Sequence, residues 1–134
     1  MASVVQTGAV SKGALWTGRV LSGLIVALMV MSGVMKLMMT QDAQKDLDPI
    51  GWSVGIMGTI GVIEITCAIL YAIPQTAVLG AILLAGYLGG ACATSVRVGQ
   101  YGFSLAPVIL GVVAWVALYL RDARVRSLAP IRAL

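Results

Sequence analysis

Residues Gly51 to Pro74 read GWSVGIMGTIGVIEITCAILYAIP, an apolar stretch with one carboxylate, Glu64, near its middle. About 20 apolar residues in helical form cross a hydrocarbon core of ~30 Å. A charge at the centre of such a helix costs roughly 2.5 to 3.5 kcal/mol on insertion scales, so it belongs inside a bundle or cavity with a partner. The stretch therefore predicts several helices packed together in a membrane. It leaves Glu64 two readings, a structural ion pair or a group that handles a proton or a ligand.

The rest of the chain agrees with a membrane setting. Its 134 residues are 60% hydrophobic, with a mean hydropathy of +0.99, outside the soluble class and within the size of one domain. The nine Lys or Arg and five Asp or Glu sit almost entirely at the edges of apolar runs, so the net charge of +4 reports topology. No basic patch interleaved with aromatics is present, which speaks against nucleic acid as a partner. Histidine is absent, which removes the commonest general base and the usual zinc and haem ligand. Neither a metal nor a cofactor is expected, and acid-base chemistry would fall to carboxylate, lysine, tyrosine or thiol.

Outward from the central stretch, three more spans can be read. Residues 1–12 form a small, polar tail. Arg19 is followed by an uncharged run from Val20 to Met35 and then Lys36; both cations can snorkel along their aliphatic stems, which predicts a helix over about 13–39. A cleaved signal peptide fits less well, because TQDAQ offers no small-x-small cleavage pattern. The connection from Thr40 to Ile50 carries Asp42, Lys45, Asp46 and Asp48 before Pro49 and reads as a solvated loop. The second span, 51–73, stops at Pro74, and the third, 76–97, begins almost at once, so the two form an antiparallel hairpin. A fourth span, about 104–121, has Pro107 in its first turn and is followed by a basic tail over 123–134. The fold class is thus all-α integral membrane, four antiparallel transmembrane helices in an up-down-up-down bundle over 13–122. Lys12, Arg19, Arg121, Arg124, Arg126 and Arg132 outnumber Lys36, Lys45 and Arg97 on the other side, which predicts cytoplasmic termini, and the expected location is a bacterial inner membrane.

Helical spacing gives the faces. Met57, Gly61, Glu64, Ala68 and Tyr71 share one side of the second span, where glycine and alanine leave room beside the carboxylate. Gly86, Gly90, Ala93, Thr94 and Arg97 share a side of the third, and Gly51, Gly55, Gly58 and Gly61 open the second; small residues of this kind favour close helix packing in lipid. Counted from the inner ends, Glu64 lies about 13 Å deep and Arg19 about 9 Å, which makes Arg19 the expected partner. Lys36 lies about 26 Å from Arg19 along the first helix and would need a shift of register to reach Glu64. With Thr94, Ser95, Arg97, Gln100 and Tyr101, Lys36 is instead placed at an outer, cationic mouth. Cys67 and Cys92 differ in depth by about 16 Å, too far for a disulfide, and the methionines of the first span read as packing.

The chain resembles the DoxX-like membrane proteins, from Trp16 to Pro130. The resemblance is carried by WTGR at 16–19, SGVMKL at 32–37, GVIE at 61–64, GGACATSVRVG at 89–99 and LRDARVRSLAP at 120–130. It implies a four-helix bundle and marks Arg19, Lys36, Glu64 and Arg97 as the polar positions. Where many relatives resemble A-T-H-x-R, this chain has Ala93, Thr94, Ser95, Val96 and Arg97. The family is functionally mixed and includes a subunit of a thiosulfate:quinone oxidoreductase, a partner in redox-stress complexes and a receptor-assembly chaperone.

Three functions follow as expectations. The first is an accessory subunit that accommodates a hydrophobic small molecule, a quinone being one candidate, for a partner oxidoreductase. Met57, Glu64 and Tyr71 would line its inner part and Lys36, Thr94, Ser95 and Arg97 its mouth. The second is an enzyme with Glu64 as general acid or base, beside Arg19, on an isoprenoid-like or sterol-like substrate. The third is an assembly factor without chemistry. The expected partners are the bilayer, a small amphiphile, a membrane-protein partner or a second copy of the chain.

Overall fold

A computed structural model describes residues 11–127, and within them the chain is helical with no strand. Four helices are long and apolar enough to cross a membrane: α1, Lys12–Leu37; α2, Val54–Ala72; α3, Ala77–Arg97; and α4, Tyr101–Arg121. A short α5, Ala123–Ser127, follows. The spans agree with the hydropathy reading to within a few residues at each end. The first ten residues and those after Ser127, which include Arg132 and most of the two tails, lie outside the described part.

Local chemistry sets the helix ends. Ser11 caps α1, its hydroxyl accepting the amide of Ala14 at 3.2 Å. Pro74 ends α2 through its effect on the preceding residue, and Ile73 is accordingly extended, with φ −78° and ψ 121°. Thr76 closes the hairpin by donating to the carbonyl of Leu70 at 2.8 Å. Gly99 takes φ 78° in the turn before α4, a conformation in which other residues are strained.

Two expectations require correction. The connection from Thr40 to Ile50 is folded, as a 3-10 turn at Gln41–Ala43, one α-turn at Gln44–Leu47 and a second 3-10 turn at Asp48–Ile50. Gln44 organises it: its amide nitrogen donates to Asp48 Oδ1 and to the carbonyl of Trp52, while its oxygen accepts the amide of Val54 at 2.9 Å. One side chain thus satisfies part of the open N-terminus of α2, where Ser53 makes no side-chain cap. Pro107 is not in a first turn either, because α4 begins at Tyr101 and the proline falls inside it. Its missing N–H leaves the carbonyl of Phe103 without the usual helical donor.

The helices form a ring in which α1 and α3 each pack on both α2 and α4. Contacts pair in reverse order: Gly33 of α1 meets Gly61 of α2 while Ser22 meets Tyr71. Gly80 of α3 meets Tyr71 while Arg97 reaches Ile50, just before α2. Hence α2 runs opposite to α1 and α3. The core gathers Ile25, Met29, Cys67, Ala68, Tyr71, Ala81, Leu84, Leu88, Ala114 and Leu118. Large apolar residues such as Leu24, Met31, Ile63, Leu79, Ile82, Ile109 and Val112 stay exposed. An apolar exterior suits lipid, and inside it alanine and glycine beside Leu84, Leu118 and Tyr71 let the helices approach closely, since van der Waals fit replaces the hydrophobic drive.

Helical spacing predicts the buried face of α2 but not that of α3. In α2 the buried residues are Met57, Gly61, Glu64, Cys67, Ala68 and Tyr71, the expected face plus Cys67. In α3 the buried stripe is Ala77, Gly80, Ala81, Leu84 and Leu88, and Gly86, Gly90 and Ala93 face outward. Gly51 and Gly55 are also exposed. Gly80 wins because a Cβ there would collide with the backbone of Leu70 and Tyr71, whereas one at Gly86 or Gly90 would meet nothing within 4 Å.

Candidate functional site: a buried ion pair and a cleft at the terminal end

Glu64 is paired with Lys36. The Lys36 ammonium donates to Glu64 Oε2 at 2.7 Å and to Ser32 Oγ, one turn back on its own helix, also at 2.7 Å. The lysine side chain is 21% exposed and the glutamate 3%, so the carboxylate is sealed and the ammonium sits at the rim. Among the described residues no buried side-chain nitrogen or oxygen lacks a partner.

The expected pairing of Glu64 with Arg19 is therefore wrong, and the glycine crossing explains why. A Cβ on Gly61 would lie 2.6 Å from the carbonyl oxygen of Gly33 and 3.2 Å from Lys36 Cβ. Measured from that crossing, Lys36 and Glu64 are offset by about six residues, roughly 9 Å along the axis. Side chains lean toward the N-terminus of their own helix, so on antiparallel helices these two lean toward each other and close that gap. Arg19 falls about eleven residues, roughly 16 Å, from the level of Glu64, beyond the end of α2. Its guanidinium rests 5.7 Å from the Trp16 ring instead.

Tyr71 organises the other end. Fully buried, it donates its hydroxyl proton to the carbonyl of Ala114 at 2.6 Å, which leaves Ser22 to donate to the tyrosine oxygen across 3.2 Å. Arg121 donates to the carbonyl of Tyr71 and lies 4.7 Å from its ring. A Cβ on Gly18 would clash with Ala117 and Arg121, so α1 and α4 are in close contact at this point. One residue of α2 thereby joins α1 and α4 and fixes an arginine.

Arg121 and Arg19 border two adjoining hollows. The first, about 560 Å³, opens at the terminal end between Leu15, Pro74, Gln75, Asp122 and Arg124. The second, about 480 Å³, runs along α1 past Ser22, Gly23, Val26, Ala27 and Val30. Arg19, Ala72 and Arg121 line both, so the hollows adjoin at these residues, a cationic end beside an apolar groove, and are treated together as one cleft.

The remaining expected site residues are not gathered into one place. Met57 is 4% exposed and Tyr71 0%, and the space over Gly61, one turn before Glu64, is filled by the backbone of Gly33 and the stems of Lys36 and Leu37. At the outer end Thr94 bonds to the carbonyl of Gly90 in its own helix, and Arg97 donates to the carbonyl of Ile50 at 2.6 Å beside Gly51, whose φ is 79°. Ser95 is half-buried on α3, and its carbonyl accepts the amide of Gln100. Cys67 is buried and Cys92 half-buried, both as free thiols. Sequence reasoning missed Ser22, Arg121 and the groove on α1. The signal was the spacing of Gly18, Ser22, Ile25, Met29 and Gly33, which marks the buried face of α1.

A sealed ion pair between two crossing helices, and a cationic cleft where α1 begins and α4 ends, define a small polytopic membrane protein with two places, among the described residues, where charge is held. The chain belongs to the DoxX-like family, whose sequence model matches residues 20–117. No curated protein and no solved structure matches it.

Proposed function

We propose that this protein is a binding subunit of a bacterial inner membrane that seats a hydrophobic small molecule in the groove on α1, for use by a partner oxidoreductase. The observation that carries the reading is the groove itself, about 480 Å³, with Gly23, Val26, Ala27 and Val30 along its length and two arginines at one end. Ligand sites are typically 300 to 1,000 Å³, mostly apolar, with a few placed polar groups. A role for the partner rests on family membership, in which oxidoreductase subunits occur. Catalysis by Glu64 has less support, because its carboxylate is closed in by packing and engaged by Lys36.

The test is mass spectrometry of lipid extracts from the purified chain, followed by thermal-shift titration with quinones, isoprenoids and sterols. A ligand at a hundredfold excess over Kd stabilises by about 2.7 kcal/mol. Wild type and Glu64→Gln should respond alike, with Ala27→Trp, which fills the groove, responding to none. Absence of any co-purified or stabilising molecule would overturn the reading, and so would conversion of a panel member that stops in Glu64→Gln.

A further inference from the structure

Resting on that reading of the groove, we propose that its occupant is a membrane amphiphile with an anionic, phosphate-class headgroup, held by Arg19, Arg121 and Arg124. The cationic hollow and the apolar groove share Arg19, Ala72 and Arg121, so one molecule with a charged head and a hydrocarbon tail matches both. Arg124 adds a third guanidinium to the headgroup end, and Gln75 adds an amide. Among the described residues Asp122 is the one carboxylate bordering the hollow, and its Oδ1 accepts the backbone amide of Arg124 at 2.9 Å. Three cations against one anion give the described lining of the hollow an excess of positive charge.

The arginines differ in how they are held, and the difference suits a binding site. Arg121 is pre-positioned by the Tyr71 carbonyl and ring, with donors to spare after that one hydrogen bond. Arg19 makes no hydrogen bond or ion pair among the described residues, and the only ion pair found there is Lys36 with Glu64 at the far end. Arg126, by contrast, is turned to the carbonyls of Tyr119 and Leu120. Guanidinium groups present paired N–H donors whose geometry fits phosphate oxygens, and they accept partial desolvation more readily than an ammonium. The depth also fits. Arg19 lies just beyond the level at which α2 ends, where headgroups sit, and the groove from Ser22 to Val30 descends about 12 Å into the hydrocarbon.

Snorkelling arginines at a positively charged membrane face would attract anionic lipid without any groove, and the experiment separates the two cases. Delipidated full-length protein in a non-ionic detergent is titrated with dioleoyl phosphatidic acid, with dioleoylglycerol of the same chains, and with inorganic phosphate, by thermal shift and native mass spectrometry. Phosphatidic acid should bind at least about tenfold more tightly than dioleoylglycerol, and inorganic phosphate should give no shift. Arg19→Gln should lose about tenfold in phosphatidic acid affinity, as expected for one charge-assisted hydrogen bond, with its unliganded melting temperature unchanged. Ala27→Trp should bind neither lipid. Equal binding of the two lipids would overturn the headgroup assignment while leaving the groove reading intact. Binding of neither would overturn the headgroup proposal, and the groove reading would then stand or fall with the titration of quinones, isoprenoids and sterols. Phosphatidic acid bound by Ala27→Trp as tightly as by wild type would reduce the effect to surface charge, and a shift with inorganic phosphate would move the site from a lipid to a free anion; either result overturns the proposal. Should Ala27→Trp fail to fold, Gly23→Leu blocks the same groove from a position where a Cβ meets nothing within 4 Å.

Discussion

Lys36 and Glu64 touch at 2.7 Å while the carboxylate is 3% exposed, and this asymmetry determines how each substitution should act. Glu64→Gln leaves an ammonium at the rim, where its stem can carry it toward water. Lys36→Met leaves a carboxylate with no such escape. Removing one partner of a buried pair typically costs about 3 to 5 kcal/mol, and replacing both is far milder. We expect Lys36→Met to destabilise more than Glu64→Gln in detergent melts, and the double substitution to recover most of the loss. Arg19→Ala should show no coupling to Glu64 in a double-mutant cycle; coupling of 1 kcal/mol or more would mean that the two charges meet after all. The sequence identified Glu64 and its face because one carboxylate in an apolar helix is conspicuous. It could not identify the partner, since depth counted from predicted helix ends misses a register set by two glycines on different helices.

At the scale of helices, hydropathy located the four spans because each is a long apolar run bounded by charge, proline or a glycine turn. Which small-residue stripe is buried was not legible on α3, where two stripes are available and the choice depends on the shape of the neighbours. The backbone of Tyr71 fits against Gly80, so Gly80→Ala should disrupt the α2 and α3 contact and lower the melting temperature markedly. Gly86→Ala is the control. Its Cβ enters open space, and the gain in helix propensity, up to about 1 kcal/mol, makes it neutral or mildly stabilising. A melting temperature that falls as far for Gly86→Ala as for Gly80→Ala would contradict the packing described here. The loop before α2 was equally hard to foresee, because the capping role of Gln44 depends on a 3-10 turn that brings residue 44 beside residue 54.

For the whole molecule, both ends of the described chain gather on one side, and charge separates that side from the other. Lys12, Arg19, Arg121, Arg124 and Arg126 lie at the terminal end, against Lys36, Lys45 and Arg97 at the loop end. Cationic ends are retained in the cytoplasm, so the termini are expected there and the Thr40 to Ile50 connection outside. The orientation bears on function, because the cytoplasmic leaflet carries the negative surface potential that would enrich anionic lipids beside Arg19 and Arg121. Single cysteines at Asp46 and Ser127, both exposed, report on the two sides once Cys67 and Cys92 are replaced by alanine. An impermeant maleimide added to intact cells should label Asp46→Cys and reach Ser127→Cys only after the membrane is opened. The opposite pattern would invert the protein, set the arginine cleft in the outer leaflet, and remove the cytoplasmic leaflet as the source of its lipid.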